Sequence, residues 1–229
     1  MSTVVVNRST AQLIARRAAE IPQSDERIGF PTRLTEILVA AFALVLAAPV
    51  MMVLAIVIRR GTKGPILFFQ QRIGRNGRPF TFVKFRTLYA DARERFPELY
   101  AYKYTTEQLD SLHFKVEEDP RVTPQGQWIR RTSLDELPNF WNVLTGDMAL
   151  VGPRPEIPEM LAYYEGEMLE KFSVRPGVTG LAQISGRGRL SFRDTVACDV
   201  EYVRNRSFWF DMRVLVRTAI LVLTQDGAF

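Results

Sequence analysis

Two adjacent carboxylates, Asp135 and Glu136, follow two adjacent arginines, Arg130 and Arg131, in the segment Trp128-Ile-Arg-Arg-Thr-Ser-Leu-Asp-Glu-Leu-Pro-Asn-Phe-Trp-Asn-Val-Leu144. Leu134, Leu137, Phe140, Trp141 and Leu144 recur at steps of three and four, the period of a helix face. Ser133 reads as an N-cap, and Glu136 three residues later completes a capping box. The spacing therefore predicts a helix whose first turn carries both carboxylates, where free N–H groups and the helix dipole favour negative charge. A phosphate is held at such an end for the same reason, and the upstream arginines suit its oxygens. The chemistry this allows is attack by a carboxylate on a phosphate ester. A plainer account makes Glu136 a cap, Asp135 a dipole partner and the arginines a solvated surface, since ion pairs crowd helix ends without catalysing anything.

Other residues add to the first account. Lys84 and Arg86 alternate with Phe85 in Phe80-Thr-Phe-Val-Lys-Phe85 and its continuation, which allows both to share one face of a strand, though two merely exposed charges fit the strand pattern as well. Arg154 lies between two prolines in Gly152-Pro-Arg-Pro155, on backbone that proline stiffens. Gly186-Arg-Gly-Arg189 places arginines where the backbone is able to approach a ligand closely. The sequence contains neither a Walker loop nor a complete dinucleotide fingerprint, so phosphate binding would rest on these arginines.

The elements that must position these groups are coarse but legible. The chain has 229 residues, enough for one sizeable core, with 47% apolar and 24% charged residues. Its net charge of +5 suits an anionic membrane surface, a nucleic acid or a phosphorylated substrate. One cysteine, Cys198, excludes an internal disulfide, and one histidine, His113 in a polar insert, excludes a Cys/His zinc site. Residues 1–36 form a basic N-terminal segment without a legible function. Ile37–Ile58 carries no charge and is long enough to cross a bilayer, but Pro49 divides it. Arms of about 18 and 14 Å flank that proline, each too short for a hydrocarbon core of about 30 Å. Basic residues stand on both sides, so a kinked span and a re-entrant hairpin both fit. Asn76-Gly77 between two β-rich runs predicts a hairpin, residues 89–120 a helical insert, and Ser207–Thr224 an amphipathic surface helix.

Read in order, several motifs resemble one family. They are Lys84-Phe-Arg-Thr-Leu88, Asp119-Pro-Arg-Val-Thr123, Ser133-Leu-Asp-Glu-Leu-Pro138, Gly146-Asp-Met148, Val151-Gly-Pro-Arg-Pro-Glu156, and Arg175-Pro-Gly-Val-Thr-Gly-Leu-Ala-Gln183 running on to Gly186-Arg187. The spacing of Asp199, Tyr202 and Asp211 matches as well. Over residues 33–224 the chain resembles the bacterial sugar transferases, the monotopic polyprenyl-phosphate phosphoglycosyl transferases. Ala48, Asn139 and Leu88 depart from the usual Ser, Gln and Met of that family.

The resemblance implies an α+β, mainly helical fold: a re-entrant membrane helix over 37–58, broken at Ala48-Pro49, and a cytosolic catalytic domain over 59–229 with a small β-hairpin and amphipathic interface helices. It implies transfer of a sugar phosphate from a UDP-sugar to undecaprenyl phosphate, with release of UMP, on the cytoplasmic face of a bacterial inner membrane. This would be the first membrane step of exopolysaccharide, O-antigen or other glycoconjugate assembly. It further implies Asp135 as nucleophile with Glu136 as its partner, both holding magnesium. Lys84, Arg86, Arg130, Arg131, Arg154, Glu156, Arg175 and Arg187 are implied as substrate-binding residues. Membrane lipid is an expected partner, nucleic acid is not, and a homodimer is allowed.

The chemistry agrees with the composition. Both substrates are anions, so a carboxylate nucleophile splits a difficult encounter into two displacements. The acceptor is already ionised, which removes the need for a histidine base. The competing class is a membrane-anchored basic protein that binds anionic lipid or nucleic acid; it leaves the paired carboxylates among arginines unexplained.

Overall fold

The computed structural model describes residues 8–23, 29–112, 119–186 and 189–224; His113 and Arg187 lie outside the described residues. Helix α1 (Arg8–Glu20) is amphipathic and buries Ile14, with Ile21 just beyond its end. Helix α2 (Phe30–Gly61) begins with Pro31 in its first turn, where a missing N–H costs nothing, and ends with Arg59 and Arg60 against its dipole. The apolar helix thus starts at Phe30, inside the expected basic segment. It also runs through Pro49 without interruption, a correction to the expected break at Ala48-Pro49. A proline removes one donor and strains one carbonyl, while Ala47, Ala48, Val50 and Met51 on either side are helix-competent and resume the ladder.

Two strands follow, β1 (Leu67–Ile73) and β2 (Pro79–Phe85), antiparallel in the register Leu67↔Phe85 to Ile73↔Pro79. Their turn is the expected one: Asn76 and Gly77 both take positive φ, at 55° and 74°. The insert contributes two short helices, α3 (Ala92–Arg95) and α4 (Thr106–Asp110). Helix α5 (Pro124–Arg131) is capped by Thr123, whose hydroxyl accepts from the Gly126 N–H at 3.0 Å.

The capping box expected at Ser133 does not form. Ser133 sits at φ 56°, the left-handed conformation that closes α5, and donates its N–H to the Arg130 carbonyl at 3.0 Å. Its hydroxyl therefore makes no cap bond, and Leu134–Glu136 form one turn of 3-10 helix. Pro138 has no N–H to return to Leu134, so the next α-helix, α6 (Asn139–Thr145), starts only after it.

Strands β3 (Ala149–Val151) and β4 (Gly177–Thr179) pair in parallel. Their approach needs glycine, because a Cβ on Gly177 would lie 2.1 Å from the Gly152 nitrogen. Helices α7 (Leu181–Gly186), α8 (Phe192–Asn205) and α9 (Phe208–Thr224) complete the chain. The fold is thus mainly helical with a small antiparallel hairpin, as expected.

The main core gathers Ile73, Ile157, Leu161, Tyr164, Phe172 and Phe192 behind the hairpin, and Ile14 and Ile21 bring α1 onto it. Helix α2 touches the body at both ends. Near its start Ala40 packs with Phe80, Phe82, Val143 and Met148; near its end Leu54 and Ile58 pack with Phe85 and Ile129. Between those contacts Phe42, Val45, Leu46, Met52 and Val53 are exposed. Only 11% of its most apolar stretch is buried, so α2 is no core helix, and by length and composition it is able to cross a membrane.

Candidate active site

Three elements converge on Asp135. The 3-10 turn carries it, β2 brings Lys84 to it, and the last turn of α5 brings Arg130. Asp135 is 6% exposed, and its Oδ2 lies 4.0 Å from Lys84 Nζ. Burial raises its pKa above the ordinary carboxylate value; Lys84 pulls it back, Glu136 pushes it up again, and Arg130 and Arg154 pull it down. Burial likewise lowers Lys84, to about 8, against the attraction of Asp135. The Lys84 ammonium also faces the Phe68 ring, 5.7 Å from its centroid, across the hairpin pair Phe68↔Lys84.

Glu136 accepts from Arg154 Nη2 at 2.7 Å, and that carboxylate raises the Arg154 pKa. Arg154 stands on a braced loop. Gly177 donates its N–H to the Pro153 carbonyl at 2.9 Å, Arg72 Nη1 reaches the Pro155 carbonyl at 3.0 Å, and the Ile73 N–H reaches the Glu156 carbonyl at 2.8 Å. Arg130 donates from Nε to Thr87 Oγ1 at 2.9 Å and lies 3.7 Å from Asp119 through Nη1. The structure therefore brings Lys84, Arg130 and Arg154 around the Asp135–Glu136 pair.

The other candidates sit elsewhere. Arg86 does not share a face with Lys84, because β2 ends at Phe85; its guanidinium binds the carbonyls of Thr62, Lys63 and Pro65 behind α2. Arg175 holds Glu36 with two bonds of 2.8 Å and so ties α2 to the body. Glu156 is buried and accepts from the Tyr164 hydroxyl at 3.0 Å. Arg131 is exposed on α5. Arg187 falls outside the described residues. Sequence reasoning missed Thr87, Phe68 and Arg72 at this site. Hairpin register from Asn76-Gly77 would have found Phe68 opposite Lys84, and Thr87 lies within the motif Lys84–Leu88 with no role assigned to it; no local signal marked Arg72.

Asp135 and Glu136 are neighbouring hard-oxygen donors. Among the described residues no three acidic, histidine or cysteine side chains gather into a metal site. That donor set fits magnesium, which takes one or two protein carboxylates and completes its shell with water and substrate phosphate. It does not fit a cation caged by protein alone.

The family model for bacterial sugar transferases matches residues 28–225. A UDP-galactose-lipid carrier transferase of Erwinia amylovora is 40% identical over 193 residues, covering 84% of this chain and 40% of that protein. An undecaprenyl-phosphate galactose phosphotransferase of Salmonella typhimurium is 39% identical over 200 residues, covering 87% and 42%. The exopolysaccharide production protein ExoY of Rhizobium meliloti is 34% identical over 201 residues, covering 88% and 89%. The chain spans about two fifths of the length of the first two relatives and most of the third.

Proposed function

The chain belongs to the bacterial sugar transferase family, and on that premise we propose that it moves a sugar phosphate from a UDP-sugar to undecaprenyl phosphate, releasing UMP. The observation that carries this reading is a buried carboxylate, Asp135, ringed by Lys84, Arg130 and Arg154, with Glu136 fixed beside it by a 2.7 Å ion pair. In the first displacement an Asp135 oxygen bonds to the sugar-bearing phosphorus as the bond to UMP breaks, and UMP leaves with the electron pair. In the second, an oxygen of the lipid phosphate bonds to that phosphorus and the Asp135 carboxylate is regenerated. Neither step requires a base, because both attacking oxygens are already anionic. Lys84, Arg130 and Arg154 pull the Asp135 pKa down against burial, which favours its attacking carboxylate form, and they balance charge on the donor diphosphate. Asp135 and Glu136 would hold magnesium, which supplies further neutralisation of the diphosphate and the leaving phosphate.

The site meets a lipid acceptor if α2 enters the membrane and returns. Ala40 toward one end of α2 and Leu54 and Ile58 toward the other pack on the same body, which supports a helix that enters and leaves one face of the membrane over one that crosses it. Pro49 lies in the exposed middle of this continuous helix, where its missing N–H leaves the ladder one bond short and a bend costs least. On this reading the globular part lies on the cytoplasmic face of the inner membrane and α9 lies along the lipid surface. Cysteines at Gly29 and Lys63 should label from the same, cytoplasmic side; labelling from opposite sides rejects the topology.

The chemical test uses a UDP-sugar labelled on the phosphate next to the sugar, without acceptor. Label should become protein-bound with release of UMP, map to the peptide holding Asp135, and leave on addition of undecaprenyl phosphate. Asp135→Asn should abolish both the label and turnover. UMP release that needs both substrates together, with no bound label, would reject the covalent step.

A further inference from the structure

Helix α5 meets the body at the segment after β2. Leu88 and Val122 form an isolated antiparallel bridge, flanked by the Tyr89 N–H on the Arg121 carbonyl and the Thr123 N–H on the Thr87 carbonyl, both at 2.9 Å. Thr123 then caps α5 and donates its hydroxyl to the same Thr87 carbonyl at 3.2 Å. At Gly126 the helix presses on that carbonyl so closely that a Cβ would stand 2.2 Å from its oxygen. The close approach brings the last turn of α5 back over Thr87. There Arg130 Nε meets the Thr87 hydroxyl, while Nη1 faces the Asp119 carboxylate, itself fixed by two 2.8 Å bonds from Arg121.

We infer that Thr87 and Asp119 are positioning residues, which hold the guanidinium of Arg130 in one plane beside Asp135, with Gly126 setting the helix height that allows it. An arginine with Nε and Nη1 both engaged has lost most of its rotational freedom before substrate arrives, which is the advantage of a planar donor over an ammonium. The three segments Lys84–Leu88, Asp119–Thr123 and Gly126–Arg130 then form one device for aiming a single cation. Thr87 is 1% exposed and Asp119 is occupied by two arginines, so neither is offered to substrate.

The inference rests on the proposed role of Arg130 in binding a phosphate, and a double-mutant cycle separates the two. Thr87→Val keeps the shape and deletes the acceptor, Thr87→Ser keeps the acceptor, and Asp119→Asn removes the charge. UMP release and thermal unfolding are measured for each, alone and combined with Arg130→Lys. Thr87→Val should lower turnover by about tenfold to a hundredfold, the range of a hydrogen bond to a charged group, and Asp119→Asn, which removes an ion pair at 3.7 Å, by a smaller factor of about threefold to tenfold. Thr87→Ser should stay near wild type. In the Arg130→Lys background, where Nε is gone, the same substitutions should cost less than about twofold. Equal losses in both backgrounds, or losses that follow a fall in melting temperature, would overturn the positioning role and leave that of Arg130 intact. Full activity in Arg130→Lys, or a wild type that releases no UMP from any UDP-sugar, would overturn the phosphate-binding reading and the inference with it.

Discussion

At the scale of single residues, the pH dependence of Lys84 separates activity from stability. Burial holds its pKa at about 8, against 10.5 for a free lysine, although Asp135 attracts its proton. Between those values the unfolded chain binds a proton that the folded chain has released, so this residue's contribution to stability rises with pH across that window. It does so by ~3 kcal/mol at most, and its burial cost is felt in full below pH 8. Activity should move the other way if Lys84 binds donor phosphate as proposed, because a neutral Lys84 offers no charge to that phosphate. We expect kcat/KM to fall above a pH of about 8 while the melting temperature shows no matching loss. In Lys84→Arg the limb should shift upward, since arginine stays charged. A limb unmoved in that variant would assign it to another group. Strand alternation alone left Lys84 and Arg86 equally open, and the structure separates them because the strand stops one residue short of Arg86.

At the scale of elements, the outcome depends on how local the determining contacts are. The hairpin turn, the apolar run of α2 and the C-terminal helix each follow from short windows of sequence. The helix start at Ser133 failed because two residues outside that window's logic intervened: Arg130, whose carbonyl draws Ser133 into a left-handed close, and Pro138, which stops the ladder. The resemblance implies Arg175 as a substrate-binding residue, and its partner in the structure, Glu36, lies 139 residues away in sequence, where no short window shows it. That pair predicts a property of α2. Glu36 is 7% exposed and also lies 3.3 Å from Arg33, so removing it leaves Arg175 buried without its carboxylate. Glu36→Ala should destabilise the protein by about 3–5 kcal/mol, read from unfolding in detergent, whereas Glu36→Met with Arg175→Met should recover most of it. If Glu36→Ala left stability unchanged, the tie between α2 and the body would be ornamental.

At the scale of the whole molecule, exposed apolar side chains occur on α9 as well as on α2. Helix α9 exposes Phe208, Trp209, Val216 and Ile220, with Trp209 77% accessible, and carries Arg213 and Arg217 beside them. Such a face is costly in water but suits a lipid interface, where indole and arginine lie at headgroup level. Its position supports this, since β3 contacts both α2 and α9 and so places the two helices on neighbouring parts of one body. A net charge of +5 adds attraction to anionic headgroups without choosing the site of contact. The test retains one tryptophan at a time among Trp128, Trp141 and Trp209, in vesicles whose lipids carry bromine at defined acyl depths. Trp209 should be quenched most by bromine near the headgroup boundary and less by bromine at the chain ends, and Arg213→Glu with Arg217→Glu should weaken that quenching as anionic lipid is added. An unquenched Trp209 would lift α9 off the membrane, leaving α2 as the one of the two helices in contact with lipid. Deep quenching would instead make α9 a second membrane-entering helix, at odds with its two arginines.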